Sequence, residues 1–321
     1  MASVLTEAYF HDEAAAFAAL EGIMWPGGKP PHCPHCGVVD RANRLAVQRS
    51  KPSKKNPQGK PVYGLWKCYA CRKQFTVRKG TVFEASHLAL HQWFQAAFLM
   101  CSSKKGVSAN QLHRTLGCTL KAAWFAAHRL REAMAEGNLN PFGLGGGIVE
   151  SDEAFITRRR RKGEPPRYHA RHTKFKVLTL IDRDTKQARS AVIANLREDT
   201  IYRVVAKNVS REARMMTDQA SHYRSMFSGF AGHETVDHSK EEYVRGDAYT
   251  NTAEGYFSLF KKGMKAIYQH CDEKHLHRYL AEFDFRYNHR IANGVNDSVR
   301  MGNALKGAKG KRLTYRAAGV G

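Results

Sequence analysis

The sequence predicts an α+β multi-domain chain: a small cysteine-held ribbon, a helical connector, and then an α/β domain. Three observations predict it. Two C-x-x-C pairs stand in the first quarter, a helical stretch with a Lys-Lys-Gly break follows, and the second half alternates strand-like apolar runs with amphipathic helices. A length of 321 residues accommodates two or three small domains, and a 42% hydrophobic share is enough to give each a core. The expected boundaries are 1–86 for an N-terminal helix plus ribbon, 87–142 for the connector, 143–295 for the α/β domain and 296–321 for a basic C-terminal tail.

Charge narrows the function classes. With 52 Lys+Arg against 29 Asp+Glu the formal net charge is +23, and the basic residues are spread along folded-looking sequence. Such an excess favours a polyanionic partner, because each neutralised phosphate releases condensed counterions. A merely basic soluble protein, or one with a disordered basic tail, is the plainer alternative. No stretch approaches the ~20 apolar residues of a membrane span, and no charged-then-apolar signal segment opens the chain. Beside the two C-x-x-C pairs stand three single cysteines, Cys101, Cys118 and Cys271. That odd total argues against a disulfide framework and for a cytoplasmic setting.

Taken in order, residues Ser3 to Met24 have helical spacing of Phe10, Ala14, Phe17, Ala18 and Leu20, ended by Trp25-Pro26-Gly27-Gly28. Cys33-Pro34-His35-Cys36 and Cys68-Tyr69-Ala70-Cys71 then form two knuckles joined by a loop-like Ser50 to Lys60 segment. Each C-x-x-C turn aims two thiolates at one metal, so two of them complete a tetrahedral four-cysteine site for one structural Zn2+. His32 or His35 is a spare ligand; a redox pair or unrelated cysteines are the competing readings. Tyr63, Trp66, Lys67, Arg72, Lys73 and Phe75 flank the second knuckle as in a small β-ribbon stabilised mainly by its metal.

The connector, from His87 to Met134, breaks at Lys104-Lys105-Gly106 and then has the cadence of a helix-turn-helix. Ser108 and Thr119 are placed to cap its two helices, with Gly117 in the turn. The second helix is expected to present Lys121, His128, Arg129 and Arg131 to DNA. The alternative is a plain helical hairpin with Leu112, Leu116, Trp124 and Leu130 in its core. Gly143 to Gly147 reads as a flexible joint.

Beyond it, Ile148 to Ile156 reads as a strand carrying acids, and Phe175 to Asp182 and Ala188 to Ile193 as an antiparallel pair. Asp199 to Val209 reads as a helix, Ala213 to Thr217 as a short strand, and Glu254 to Ile267 and His275 to Arg290 as amphipathic helices. Lys306 to Arg316 reads as loose. In so basic a chain, acids near strand ends stand out: Asp152 within an apolar strand, Asp218 at a strand end, and Glu254 opening a helix. Taken singly, each reads as a solvated ion-pair partner. Together they are the parts of a ribonuclease H-like α/β catalytic domain, in which oxygen ligands hold two Mg2+ ions ~4 Å apart for an in-line phosphoryl displacement.

Several blocks, collinear from about Phe10 to about Asn303, resemble the zinc-ribbon insertion-sequence transposases with an ISXO-like catalytic domain. They are the first knuckle with Gly37, Phe75 to Phe83, Gly106 to Ala109, Gln111 to Arg114, Ala123-Trp124-Phe125, Val149 to Glu153, Asn251 to Lys261, His275 to Leu280 and Glu282 to Asn288. The resemblance implies a DDE-type transposase with Asp152 and Asp218 at the first two acidic positions. At the third, members of the group carry Asn or Glu followed by Lys, and Asn251, Glu254 and Lys261 all lie in the matching block. Glu254 is favoured as ligand because a carboxylate holds Mg2+ better than an amide; Asn251 then positions or caps, and Lys261 contacts phosphate. One departure follows Asp152: where the family often has a glycine pair, this chain runs Ile156-Thr157-Arg158-Arg159-Arg160-Arg161.

The implied cofactors are two Mg2+ (or Mn2+) ions and one structural Zn2+, and the implied partner is double-stranded DNA, both transposon inverted-repeat ends and target. The implied reaction is cleavage at the transposon ends by metal-activated water, then transfer of the freed 3′-OH into target DNA, without a covalent enzyme intermediate. Arg158 to Lys162 with Arg167, Arg171, Lys174 and Lys176 either hold phosphates near that site or form a basic loop with no fixed contact. Two transposon ends imply at least a homodimer, working at the bacterial nucleoid. The alternatives are a catalytically inactive or repurposed zinc-ribbon DNA-binding protein, and a ribonuclease acting on RNA–DNA hybrid.

Overall fold

The computed structural model describes residues 3–54, 56–137, 140–157, 174–218, 227–236, 249–269 and 271–314. The chain divides into two units, Met1–Ser103 with Val107–Met134 and Asn296–Gly321, and Lys104–Gly106 with Ala135–Val295. Among the described residues no helix is long and apolar enough to cross a membrane.

In the first unit, the expected helix over 3–24 is split. Two 3-10 turns come first, and α1 (Glu13–Met24) begins only where the Asp12 carboxylate accepts the Ala15 amide at 2.7 Å. Two small sheets follow. β1 (Ala42–Arg44) and β5 (Gln74–Phe75) flank β4 (Trp66–Cys68), while β2 (Gln48–Arg49) pairs with β3 (Pro61–Val62). The ribbon is tied to α1 by Trp66, whose indole N–H donates to buried Glu21 at 3.1 Å and whose ring meets Trp25 edge-on. Then come α2 (Leu90–Ser102), α3 (Ala109–Leu116) and α4 (Leu120–Met134). Glu13 accepts the Leu90 and His91 amides and so caps α2.

The helix-turn-helix signals are all used: Ser108 caps α3, Thr119 accepts the Ala122 amide, and Gly117 adopts a left-handed φ of 62° between them. The expected DNA-facing side chains are not. His128, Arg129 and Arg131 are buried, leaving Lys121 as the exposed member of the four. Arg129 donates to the carbonyls of Glu84 and Leu313 and stacks on Phe125, so its charge satisfies backbone rather than awaiting phosphate. Leu112, Leu116 and Leu130 are buried as a hairpin core requires.

The segment 296–321, expected as a tail, opens with α8 (Asp297–Lys306). Met301, Ala304 and Leu305 are buried, and Arg300 donates to the Cys101 carbonyl at the end of α2. Apolar residues at i, i+3 and i+4 explain the docking. Residues 315–321 lie outside the described part.

The second unit is one five-stranded sheet with helices on both faces. Its strands are β6 (Ile148–Thr157), β7 (Lys174–Asp182), β8 (Gln187–Ile193), β9 (Arg214–Asp218) and β10 (Gly232–Val236), in the spatial order β10-β9-β6-β7-β8. β6, β7 and β8 are antiparallel neighbours, whereas β9 runs parallel to β6 and β10 parallel to β9. β10 was not expected, because His233, Glu234 and Thr235 break its apolar pattern. One face carries α5 (Glu198–Asn208), packing Ile201 and Val205 on Val149, Leu178, Leu180 and Met215. The other carries α6 (Asn251–Gly263), which runs into a π-helical turn (Met264–Tyr268), and α7 (Glu273–Asn288). There Tyr256, Phe257, Phe260, Leu280 and Phe283 pack on Ala154, Val177 and Ile181.

The expected joint at Gly143–Gly147 is instead pinned. The Gly143 amide donates to Asp182 at 2.9 Å, and with φ at 68° a side chain here would strike Ala213.

Candidate functional site

The ribbon gathers its cysteines tightly. The sulfurs of Cys33, Cys36, Cys68 and Cys71 all lie within 4.8 Å of one another, with Cys33–Cys71 and Cys36–Cys68 at 3.8 Å. Tetrahedral zinc with bonds of about 2.3 Å requires S···S edges of about 3.8 Å, so two edges already match one structural Zn2+ and the others need close by no more than about 1 Å. The amide of Cys71, aided by that of Ala70, draws the Cys68 thiol down to about 7 against the effect of burial. Of the two spare histidines, His35 is engaged elsewhere, its Nε2 lying 3.3 Å from the Gln74 carbonyl. A filled four-sulfur site has no open position for catalysis.

The acids reach one region from three elements. In β6, Glu150, Asp152 and Ala154 alternate onto the face that α6 covers, since side chains in a strand repeat every second residue. Glu150 pairs with Met216 across the parallel β6–β9 ladder. Two residues further along each strand, just beyond that ladder, stand Asp152 and Asp218, near enough for the Asp218 charge to act on Asp152. Glu254 lies in the first turn of α6 rather than at its start, since the helix begins at Asn251 with Thr250 at the N-cap. Asn251 therefore does not cap.

Charge coupling among the acids shows in Asp152. Its carboxyl is pushed up to about 7, mainly by burial and then by the negative charges of Glu153, Asp218 and Glu254, with the Glu153 amide opposing at 2.7 Å. Among the described residues, no three of these oxygens converge within 4.8 Å as the sulfurs do. Mutually repelling hard-oxygen donors around a half-buried aspartate suit a divalent cation, which would relieve both burial and repulsion.

Asn251, Glu254 and Lys261 share an exposed side of α6. Lys261 lies two turns beyond Glu254, about 10 Å along the axis, with its ammonium 5.7 Å from the Phe257 ring centre. Of the expected phosphate-holding cations, Lys174 and Lys176 begin β7, where Lys176 donates to the Ala194 carbonyl; Arg158–Lys162, Arg167 and Arg171 lie outside the described residues.

The sequence reading missed the support beneath the acids. Glu150 is fully buried, paired with Arg183 at 2.7 Å, and accepts the Ala253 amide of α6 at 3.0 Å. Behind Asp152, the register places Thr179 and then Ser190 on the same face. Ser190 and Tyr256 donate their hydroxyls to half-buried Asp284 of α7, and burial raises that carboxyl to about 6. A single polar residue on the otherwise apolar face of each strand, Thr179 in β7 and Ser190 in β8, was the available signal.

Residues 11–74 match the transposase zinc-ribbon domain family, and residues 144–288 match the ISXO2-like transposase domain family. An uncharacterized protein in transposable element ISH50 of Halobacterium salinarum is 26% identical over 290 residues, covering 86% of this chain and 91% of that one. A chain of the simian T-cell lymphotropic virus intasome in complex with PP2A regulatory subunit B56 gamma aligns at TM-score 0.28 and 11% identity, over 60% of this chain and 65% of its own. A chain of a pre-cleavage Mos1 transpososome aligns at TM-score 0.26 and 13% identity, over 63% and 75%. At such scores neither alignment bears on the fold.

Proposed function

Because the chain belongs to the insertion-sequence transposases that join a zinc ribbon to an ISXO2-like transposase domain, we propose that it cuts DNA at transposon ends and transfers the freed 3′-OH into target DNA. The observation that carries this reading is the placement of Asp152 and Asp218 on adjacent parallel strands, each two residues beyond the Glu150–Met216 pair, with Glu254 close enough to raise the Asp152 carboxyl. The strand order, three antiparallel strands with two parallel ones beside the first, supports a ribonuclease H-like domain.

Asp152, Asp218 and Glu254 are the residues that would hold two divalent ions, Mg2+ or Mn2+. When bound, such ions supply Lewis-acid stabilisation of the attacking and leaving oxygens of an in-line displacement. The chain's own part is to fix these three carboxylates, to keep Asp152 half-buried where its charge counts, and to position DNA. Asn251 sits one turn ahead of Glu254 and orients that first turn; Lys261, further along the exposed side, meets a phosphate. No side chain is needed as a nucleophile. The net charge of +23 suits double-stranded DNA, both inverted-repeat ends and target, at the bacterial nucleoid in the cytoplasm. Two ends imply at least a homodimer in the working complex.

The test is strand transfer with pre-cut end DNA and Mg2+. Wild type joins the DNA, and Asp152→Asn and Asp218→Asn do not. Equal behaviour of the three leaves a DNA-binding protein without this chemistry, and cleavage of RNA–DNA hybrid with no preference for end sequence makes it a ribonuclease.

A further inference from the structure

Glu150 lies two residues before Asp152 on the same face of β6, and no part of its carboxylate reaches solvent. Each of its oxygens has a defined partner. Oε1 accepts from Arg183 Nε at 2.7 Å, and Oε2 accepts the backbone amide of Ala253 at 3.0 Å. Ala253 is the third residue of α6, and the next residue is Glu254. Arg183 also reaches the same helix end: it donates to the Tyr249 carbonyl at 2.5 Å and lies 3.5 Å from the centre of the Tyr249 ring. A single buried ion pair therefore grips α6 on both sides of its N-cap, Thr250, and ties it to the strand that carries Asp152.

Burying a carboxylate and a guanidinium is expensive, and apolar replacements of such pairs are often no less stable. What an apolar pair would not reproduce is direction. Two hydrogen bonds and a stacked ring fix where the first turn of α6 begins, and with it the reach of Glu254. The negative charge at the helix N-terminus also matches the helix dipole. Further along α6, Tyr256 is held separately by Asp284, so the first turn has its own anchor.

We propose that Glu150, backed by Arg183, is a positioning residue that holds the first turn of α6 so that Glu254 faces Asp152 and Asp218. The proposal rests on the metal-binding reading of those three acids. It predicts that Glu150 acts on divalent-ion affinity without being a ligand, as outer partners of metal ligands do, typically by about 10- to 100-fold.

The test compares wild type, Glu150→Gln, the charge-free pair Glu150→Leu with Arg183→Leu, and Asp152→Asn as the background for ion binding. The paired variant leaves no buried charge uncompensated, so a folded protein is available even if the single change unfolds the unit. Two readouts are taken on the DNA-free full chain: Mn2+ binding by electron paramagnetic resonance, and amide hydrogen exchange by mass spectrometry. The expected result is Mn2+ affinity weakened by about tenfold or more, with faster exchange over residues 250–256 and unchanged protection of β6 and β7. Mn2+ affinity within about twofold of wild type, or unchanged exchange in that first turn, overturns the proposal. If wild type shows no Asp152-dependent Mn2+ binding, the metal reading fails and the positioning role falls with it. If wild type binds and the Glu150 variants bind equally well, the positioning role fails alone.

Discussion

In the ribbon, two four-residue knuckles deliver four sulfurs within 4.8 Å of one another, close to the edges of a zinc tetrahedron. In the second unit, the carboxylates come from mid-β6, the end of β9 and the first turn of α6, at positions 152, 218 and 254 of the sequence. The first arrangement depends on local turn geometry and on the metal itself. The second depends on sheet register, on which strand lies beside which, and on a buried ion pair that sets a helix end. A closed four-sulfur site can stabilise but offers no open position. Carboxylates spread over separate elements leave room for a substrate oxygen, and their support must then come from the fold.

The largest expected effect separates the two regions outright. Asp152→Asn or Asp218→Asn should reduce strand transfer by about a thousand-fold or more, because the charge that stabilises the displacement loses a ligand. Zinc measured by elemental analysis should stay at the wild-type amount per chain. A loss of zinc alongside activity would mean that the substitutions disturb the whole chain and say nothing about ligands. Cys68→Ser is the reverse experiment. Structural zinc in such sites carries about 10–16 kcal/mol of apparent binding energy, so this change should strip the metal and expose Trp66, read by its fluorescence. Retained zinc and an unmoved Trp66 spectrum would show that the ribbon stands without its fourth thiol.

The same contrast explains what was legible in the sequence. The knuckles were readable because their spacing is the geometry. Asp152, Asp218 and Glu254 stood out as acids in a basic chain, but only the strand order, with β9 beside β6, brings two of them together. Glu150 was hidden in plain view: its partners, Arg183 and the Ala253 amide, are distant in sequence, and no spacing rule joins them. The basic face of the second connector helix was misjudged because charge alone does not say which way a side chain points. Arg129 and Arg131 point to opposite sides of α4 and are both buried, since Ala126 to Arg131 are covered all round, and Arg129 bonds to backbone carbonyls. The apolar i, i+3, i+4 positions of α8 were present in a segment assigned to a tail, and their burial needed α2 opposite them.

A smaller effect sharpens the acidic side. Glu254→Gln should lower strand transfer by about a hundredfold, since a neutral amide is a poor Mg2+ ligand. Asn251→Ala should cost about tenfold or less, since it removes a neighbour one turn away and no charge. Both are compared at saturating Mg2+ and with DNA binding measured by gel shift, which neither should alter. The reverse ranking would make Asn251 the third ligand and reduce Glu254 to a charged residue on an exposed helix side.

The smallest effect concerns stability. Half-buried Asp284 has its carboxyl raised from 3.8 to about 6, chiefly by burial, despite hydrogen bonds from Ser190 and Tyr256 that favour the charge. The folded protein therefore holds this proton more tightly than the unfolded chain. The contribution is fully present below the unfolded value near 4 and is lost as pH rises through about 6, an amount of at most a few kcal/mol. Asn at this position cannot ionise, so Asp284→Asn should gain on wild type as pH rises from 4 to 7. Urea unfolding of both proteins across that range measures the difference, in which all other titrating groups cancel. A gap that stays constant with pH would mean that Asp284 remains ionised in the fold. The three hydrogen bonds would then outweigh burial, and the polar layer behind Asp152 would be a fixed negative charge opposing the site rather than a neutral support beneath it.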